Sequence, residues 1–137
     1  MRVTRVSISA DPELFERFDK LSRSEGYPTR SEAMQALIRK ALVERQWEED
    51  AADVAGAVAI VYDHHRRGLA GRLVGVQHKF DKLILCVQHV HVDHDNCLEV
   101  LLVRGKASAI RQLVTALQSL KGLKHCDVVM TTTGQGV

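Results

Sequence analysis

Cys86-Val87-Gln88-His89-Val90-His91-Val92-Asp93-His94-Asp95-Asn96-Cys97-Leu98-Glu99-Val100 reads as a strand, a tight turn and the start of a second strand. Residues two apart on a strand share a face, so His89 and His91 project side by side. Asp93-His94-Asp95-Asn96 is polar, and Asp and Asn favour turns by bonding their own backbone. Leu98, Val100, Leu101, Leu102 and Val103 then supply a return strand, with Cys97 at its start able to swing back toward the imidazoles. Two readings fit these three residues. They are three ligands of a transition-metal site, two nitrogens and one thiolate. Or they are two surface histidines beside a free, buried cysteine.

Working outward, Val54–Tyr62 is an apolar strand, and a helix follows through Leu69, Leu73 and Val76. Strands are expected at 82–92 and 97–104. Ala107–Leu120 carries Ile110, Leu113, Val114 and Leu117 on one helical side, Lys121-Gly122 ends that helix, and Leu123–Thr131 is a last strand. The order βαββαβ is the ferredoxin-like split unit.

The first half has a different grammar. Arg5-Val6-Ser7-Ile8-Ser9-Ala10 alternates polar and apolar over a strand's length. Asp11-Pro12 suits a helix N-cap and first helical position. Leu14, Phe18 and Leu21 recur at helical spacing, with Phe15 widening the stripe. Gly26-Tyr27-Pro28 stops that helix, and Thr29-Arg30-Ser31-Glu32 fits a capping box. Ala33, Met34, Leu37, Ile38, Ala41 and Leu42 form the stripe of a second helix. One strand and two helices in so short a piece cannot close a core alone, and a lone strand has no partner to pair with. A twofold dimer solves both problems, the two strands forming one antiparallel ribbon. Val6, Ile8 and Ala10 then face the helices, while Arg5, Ser7 and Ser9 face out on a ribbon of a size that enters the DNA major groove. The plainer alternative is an ordinary polar strand face.

Composition narrows the class. Among 137 residues, 45% are hydrophobic and 26% charged, as in ordinary globular domains, and aromatics at 4% leave the core to aliphatic side chains. A net charge of +2 is too small to prove a nucleic-acid partner by itself. Three cysteines without framework spacing argue against a secreted disulfide scaffold and suit a reducing cytoplasm. No apolar run approaches the roughly 18 residues of a membrane span, and no signal segment opens the chain. Residues 1–45 hold nine Lys/Arg and seven Asp/Glu, residues 46–53 four acids and no base, and residues 54–137 ten Lys/Arg and six Asp/Glu. The acidic stretch is a linker or helix end, with Trp47 as its anchor. The expected organisation is α+β: a dimeric βαα unit over 1–46, a linker over 47–53 and the βαββαβ unit over 54–137.

Both halves together resemble the nickel-responsive transcriptional regulators of the NikR type, from about Arg5 to about Thr131. The carrying motifs are Arg5-Val6-Ser7-Ile8-Ser9, Gly26-Tyr27 with Arg30-Ser31-Glu32-Ala33, Gln77-His78, and His89-Val90-His91 with Asp93-His94-Asp95 and Cys97-Leu98-Glu99. The resemblance implies a ribbon-helix-helix DNA-binding domain followed by an ACT-like metal-binding and tetramerisation domain, assembled as a dimer of dimers. It implies one square-planar Ni2+ per subunit, held by His89, His91 and Cys97 of one chain and His78 of another; planar coordination by nitrogen donors suits Ni(II) and Cu(II), whereas Zn(II) prefers a tetrahedron. It places Tyr62, Gln77 and Glu99 beside the ligands, where periodicity alone reads Tyr62 and Gln77 as core or helix-surface residues. It implies operator DNA as partner, read by Arg5, Ser7 and Ser9, and repression of nickel-uptake genes when the metal is sufficient, with no catalysis, no membrane and no small-molecule substrate.

This chain departs from the family pattern in several places. Family members carry an acidic residue four positions after Glu32, at a secondary cation site; here it is Ala36, preceded by Gln35. His78 is followed by Lys79-Phe80 where some members have further histidines. His64, His65 and His94 have no place in the main site and are read as exposed spectators. Arg66-Arg67 touches the DNA backbone or is a solvated corner. The competing functions are a copper or cobalt sensor or a small-organic-ligand regulator on the same fold, a metal-storage protein or metalloenzyme, and an antitoxin. Four protein ligands leave no open catalytic position, and the second half is too apolar and too well patterned for a disordered toxin-binding tail.

Overall fold

The computed structural model describes residues 2–137. The chain divides between Lys40 and Ala41 into two compact units.

In the first unit, α1 spans Pro12–Ser24. Asp11 caps it, its carboxylate accepting from the Leu14 N–H at 3.0 Å, with Pro12 at the helix start. Gly26, at φ +82°, turns the chain out of α1 through a backbone conformation that side chains resist. The second helix, α2, spans Arg30–Glu48. Thr29 Oγ1 accepts from the Glu32 N–H at 3.1 Å, as the capping motif predicts. The reciprocal half differs: the Glu32 carboxylate takes the Thr29 hydroxyl, at 3.3 Å, in place of a backbone N–H. Arg30 clamps Asp19 through two bonds of 2.9 and 2.6 Å and lies over the Phe15 ring at 4.5 Å. That guanidinium holds the Asp19 carboxyl below the usual carboxylate range.

The expected strand over residues 5–10 is not formed within the single chain. Residues 2–11 carry no regular structure and are all exposed, Val6 and Ile8 included. A strand is defined by its ladder, and among the described residues no other segment offers one here. Leu14, Leu21, Leu37 and Ile38 are likewise exposed.

The second unit contains β1 (Asp53–Asp63), α3 (Leu69–Lys79), β2 (Ile84–His91), β3 (Asn96–Lys106), α4 (Ala107–Gln118) and β4 (Leu123–Thr131). The βαββαβ reading holds, each element lying within a few residues of its expected place. The four strands form one antiparallel sheet in the order β2-β3-β1-β4. Strict alternation along β1 sends Val54, Val58, Ile60 and Tyr62 to one face, where they are buried with Leu69 and Leu73 of α3 and Ile110, Leu113 and Leu117 of α4. Full burial of each such aliphatic side chain is worth roughly 1.5–3 kcal/mol.

The acidic stretch covers the end of α2 at Glu48 and the turn that leads into β1. Trp47, in the last turn of α2, is 5% exposed within the second unit's core, and its indole N–H donates to the Thr131 carbonyl at 2.9 Å. A Cβ on Gly56 would stand 3.3 Å from the Trp47 ring and 2.6 Å from the Val129 carbonyl, so only glycine leaves room there. The following turn docks on α4: the Ala107 and Ser108 N–H groups donate to Ala52 and Asp50 carbonyls at 2.9 and 3.2 Å, and Arg111 pairs with Asp50.

Among the described residues no helix covers the other sheet face. Leu102, Val129 and Val90 are exposed there, beside the small residues Ala55, Ala57 and Ala59. Among the described residues no helix is long and apolar enough to cross a membrane.

Candidate metal centre

Strand register builds this site. In the β2/β3 ladder His91 stands opposite Cys97 and His89 opposite Glu99. In the β1/β3 ladder Tyr62 stands opposite Cys97. Directly opposed residues share a face, so His89, His91, Cys97, Glu99 and Tyr62 all point to the helix-bearing side. Cys97 needs no swing toward the imidazoles, because pairing delivers it. The turn that sets this register is held by Asp93, whose carboxylate accepts from the Asp95 and Asn96 N–H groups at 2.9 and 2.8 Å. Those bonds keep the Asp93 carboxyl below its ordinary range, the Asn96 side chain contributing most.

The Cys97 Sγ lies 3.6 Å from His91 Nδ1. The His89 and His91 ring centroids are 5.3 Å apart, and the Tyr62 ring stacks on His89 at 6.3 Å. From α3, Gln77 donates through Nε2 to Glu99 Oε2 at 3.0 Å. Cys97, Glu99 and Tyr62 are buried, whereas His89 and His91, on the edge strand, are exposed.

Electrostatics make this a site short of positive charge. Burial pushes the Cys97 thiol up, and the carboxylates of Glu99, Asp63 and Asp93 push further. Burial raises the Glu99 carboxyl, opposed by His89 and by the Gln77 hydrogen bond. Tyr62 is pushed up to about 12, by burial first and then by Glu99 and Cys97. A cation placed here relieves all three groups at once and stabilises the thiolate. Two imidazoles and a thiolate are the donor set that borderline transition ions take.

His78 does not join this group within the chain. It is exposed near the end of α3. It follows Gln77, and one residue turns a helix by about 100°, away from the face that Gln77 presents to Glu99. His64, read from the sequence as a spectator, is half-buried with its ring 5.0 Å from that of His91, edge-on. The ligating atoms of His64, His91 and Cys97 lie within 4.8 Å of one another. No local sequence signal announces this contact, which joins the turn after β1 to the end of β2. Arg66 and Arg67 are exposed in the turn before α3, and Arg5, Ser7 and Ser9 are exposed ahead of α1.

Residues 55–131 match the family described as the NikR C-terminal nickel-binding domain, and residues 4–45 match the ribbon-helix-helix proteins of the copG family. A protein of Solibacter usitatus described as a nickel-responsive regulator is 48% identical over 132 residues, covering 96% of this chain and 95% of its own length. One from Geobacter sp. strain M21 is 48% identical over 133 residues, covering 97% and 96%. One from Thermococcus onnurineus is 44% identical over 135 residues, covering 98% of each chain. Among solved structures, an uncharacterised protein of Thermotoga maritima matches 56% of this chain and 95% of its own with a TM-score of 0.52 at 18% identity, a likeness of fold alone.

Proposed function

The chain belongs to the family of nickel-responsive regulators, and from that premise we propose that it is a repressor whose hold on operator DNA tightens with Ni2+, closing down nickel-uptake genes. Family membership makes it a DNA-binding transcription regulator and not an enzyme, with a ribbon-helix-helix domain ahead of an ACT-like one. The observation that carries the metal half is the cross-strand pair of His91 and Cys97, 3.6 Å apart, with His89 on the same face. His89, His91 and Cys97 would hold one Ni2+ per subunit together with His78 of the partner subunit. A bound nickel ion supplies the positive charge that the buried thiol, carboxyl and phenol lack. Glu99 and Gln77 brace α3 against the ligand strand, and Tyr62 stacks on His89 to fix its ring.

Exposed apolar surface supports the assembly. Val6, Ile8, Leu37 and Ile38 suit a second copy pairing its ribbon and helices with the first. The bare sheet face with Leu102 and Val129 suits association of metal-binding domains into a tetramer. In the dimer, Arg5, Ser7 and Ser9 read base edges, and Arg66 and Arg67 contact phosphate. All three cysteines are free, as suits work in the reducing cytoplasm.

Nickel can strengthen DNA binding only by favouring the DNA-competent arrangement over others, and operator DNA must then raise nickel affinity by the same factor, typically 5–150-fold or about 1–3 kcal/mol. The test is binding to the promoters of nickel-uptake genes with and without Ni2+. Retardation that requires nickel is expected. Equal binding in both conditions, or a stronger response to Cu2+ or Co2+, overturns the assignment.

A further inference from the structure

Two turns far apart in sequence meet beside the metal centre, and three side chains there have no role in it. His65 Nε2 lies 3.5 Å from Asp95 Oδ1, and His94 Nδ1 lies 3.4 Å from the same oxygen. The three ligating atoms fall within 4.8 Å of one another. Donors about 2.1 Å from a tetrahedral ion stand about 3.4 Å apart, so the two short separations already fit a shared cation.

The backbone beneath them is tied in place. The His64 N–H donates to the Asp95 carbonyl at 3.1 Å, and His64 Nε2 donates to the His94 carbonyl at 2.7 Å. A carbonyl only accepts, so that bond fixes the proton on Nε2. The His65 N–H donates to the Asp63 carboxylate at 2.9 Å, and the Asp93 carboxylate gathers the Asp95 and Asn96 N–H groups. Lys124 holds Asn96 from β4 at 2.6 Å. Each turn is closed on itself and bonded to the other, so the three donors are presented together and do not have to be collected from a loose loop.

We propose that His65, His94 and Asp95 form a second divalent-metal site, separate from the cysteine-containing centre. Two imidazoles and a carboxylate without a thiolate select borderline ions such as Zn2+ or Ni2+, with water completing the shell. His94 is 86% exposed and Asp95 63%, so the site is open to ions from solvent. His64 stands between the two centres, its ring 3.9 Å from His65 and 5.0 Å from His91. An ion taken up here sits one imidazole away from the ligands of the main centre. The second site needs no partner chain and does not depend on Cys97.

Equilibrium dialysis against Ni2+ and Zn2+, with the sulfur-to-nickel absorption band recorded in parallel, tests this. The full-length protein is expected to bind two Ni2+ per chain. His65→Ala, His94→Ala and Asp95→Asn should each reduce this to one, with the absorption band and the circular dichroism unchanged. Cys97→Ala should lose the band yet still bind one Zn2+ per chain, and Cys97→Ala with His94→Ala should bind none at the same free Zn2+. A parent whose only bound metal is retained in the His65, His94 and Asp95 variants, surface variants with undiminished stoichiometry, or surface variants that lose the band overturn the proposal. Failure of the Cys97 reading alone leaves the second equivalent in place, so the two readings fail separately.

Discussion

Gln77 on α3 donates from Nε2 to Oε2 of Glu99 on β3 at 3.0 Å, joining the helix that carries His78 to the strand that carries Cys97. Groups that orient metal ligands from behind typically contribute 10–100-fold in affinity. Gln77→Leu removes the donor and leaves the buried Glu99 carboxylate without this hydrogen bond. Nickel affinity, measured by competition with a chelator of known strength, should fall by about 10–100-fold, with the absorption band still present at saturation. An unchanged affinity would remove Gln77 from the site.

Glu99 also sets a pH dependence of the metal-free fold. Burial raises its carboxyl in the folded state. The folded chain therefore holds this proton where the unfolded chain has released it. The stabilisation is complete below the unfolded value of about 4.3 and is lost as pH rises through the folded value. Glu99→Gln removes this contribution to the slope. In chelator-treated protein the urea midpoint of the variant should gain on the parent between about pH 4 and pH 7; a gain in the other direction contradicts the assignment.

Cys97 and Cys86 should differ in chemistry. Cys97 is buried with its thiol pushed up, while Cys86 is exposed on β2. Without metal, an alkylating reagent at about pH 7.5 should label Cys86 first and Cys97 far more slowly, since only the thiolate reacts. Peptide mass mapping reads the order. Cys97→Ala should abolish the sulfur-to-nickel band, and Cys86→Ala should keep it.

Arg5→Ala should cost about 1–3 kcal/mol against the specific operator, with nickel binding and oligomeric state retained. Quantitative DNA binding on specific and scrambled sites separates base reading from general charge. A variant that dissociates the dimer while keeping its specificity shows that Arg5 is structural.

His78→Ala should leave a folded oligomer that binds DNA equally with and without Ni2+. In the parent, hydrogen exchange over residues 64–80 should slow on adding nickel. Intact DNA activation with no change in exchange there would locate the coupling elsewhere.

The βαββαβ order was legible because β1, β3, α3 and α4 each bury one face, so hydrophobic period and element boundary coincide in β1 and α4. The first strand was legible only as a pattern, since Arg5–Ala10 has nothing to pair with in one chain. His89, His91 and Cys97 stood out by residue type. The role proposed for Tyr62, Gln77 and Glu99 came through family resemblance, because a buried Tyr on a strand and a Gln on a helix look like core and surface. The contact of His64 with His91 had no local trace. It depends on β1 and β3 ending together at Asp63 and Asn96, which is settled by pairing.

That pairing makes the grouping of these side chains a test of strand alignment. His91 meets Cys97, and His89 meets Glu99, only in one alignment of β2 on β3. Sliding β2 by a single residue would send both imidazoles to the helix-free face, opposite the thiol. The proposed ligand set thus belongs to one register alone, and a chain with β2 misaligned on β3 would not present it.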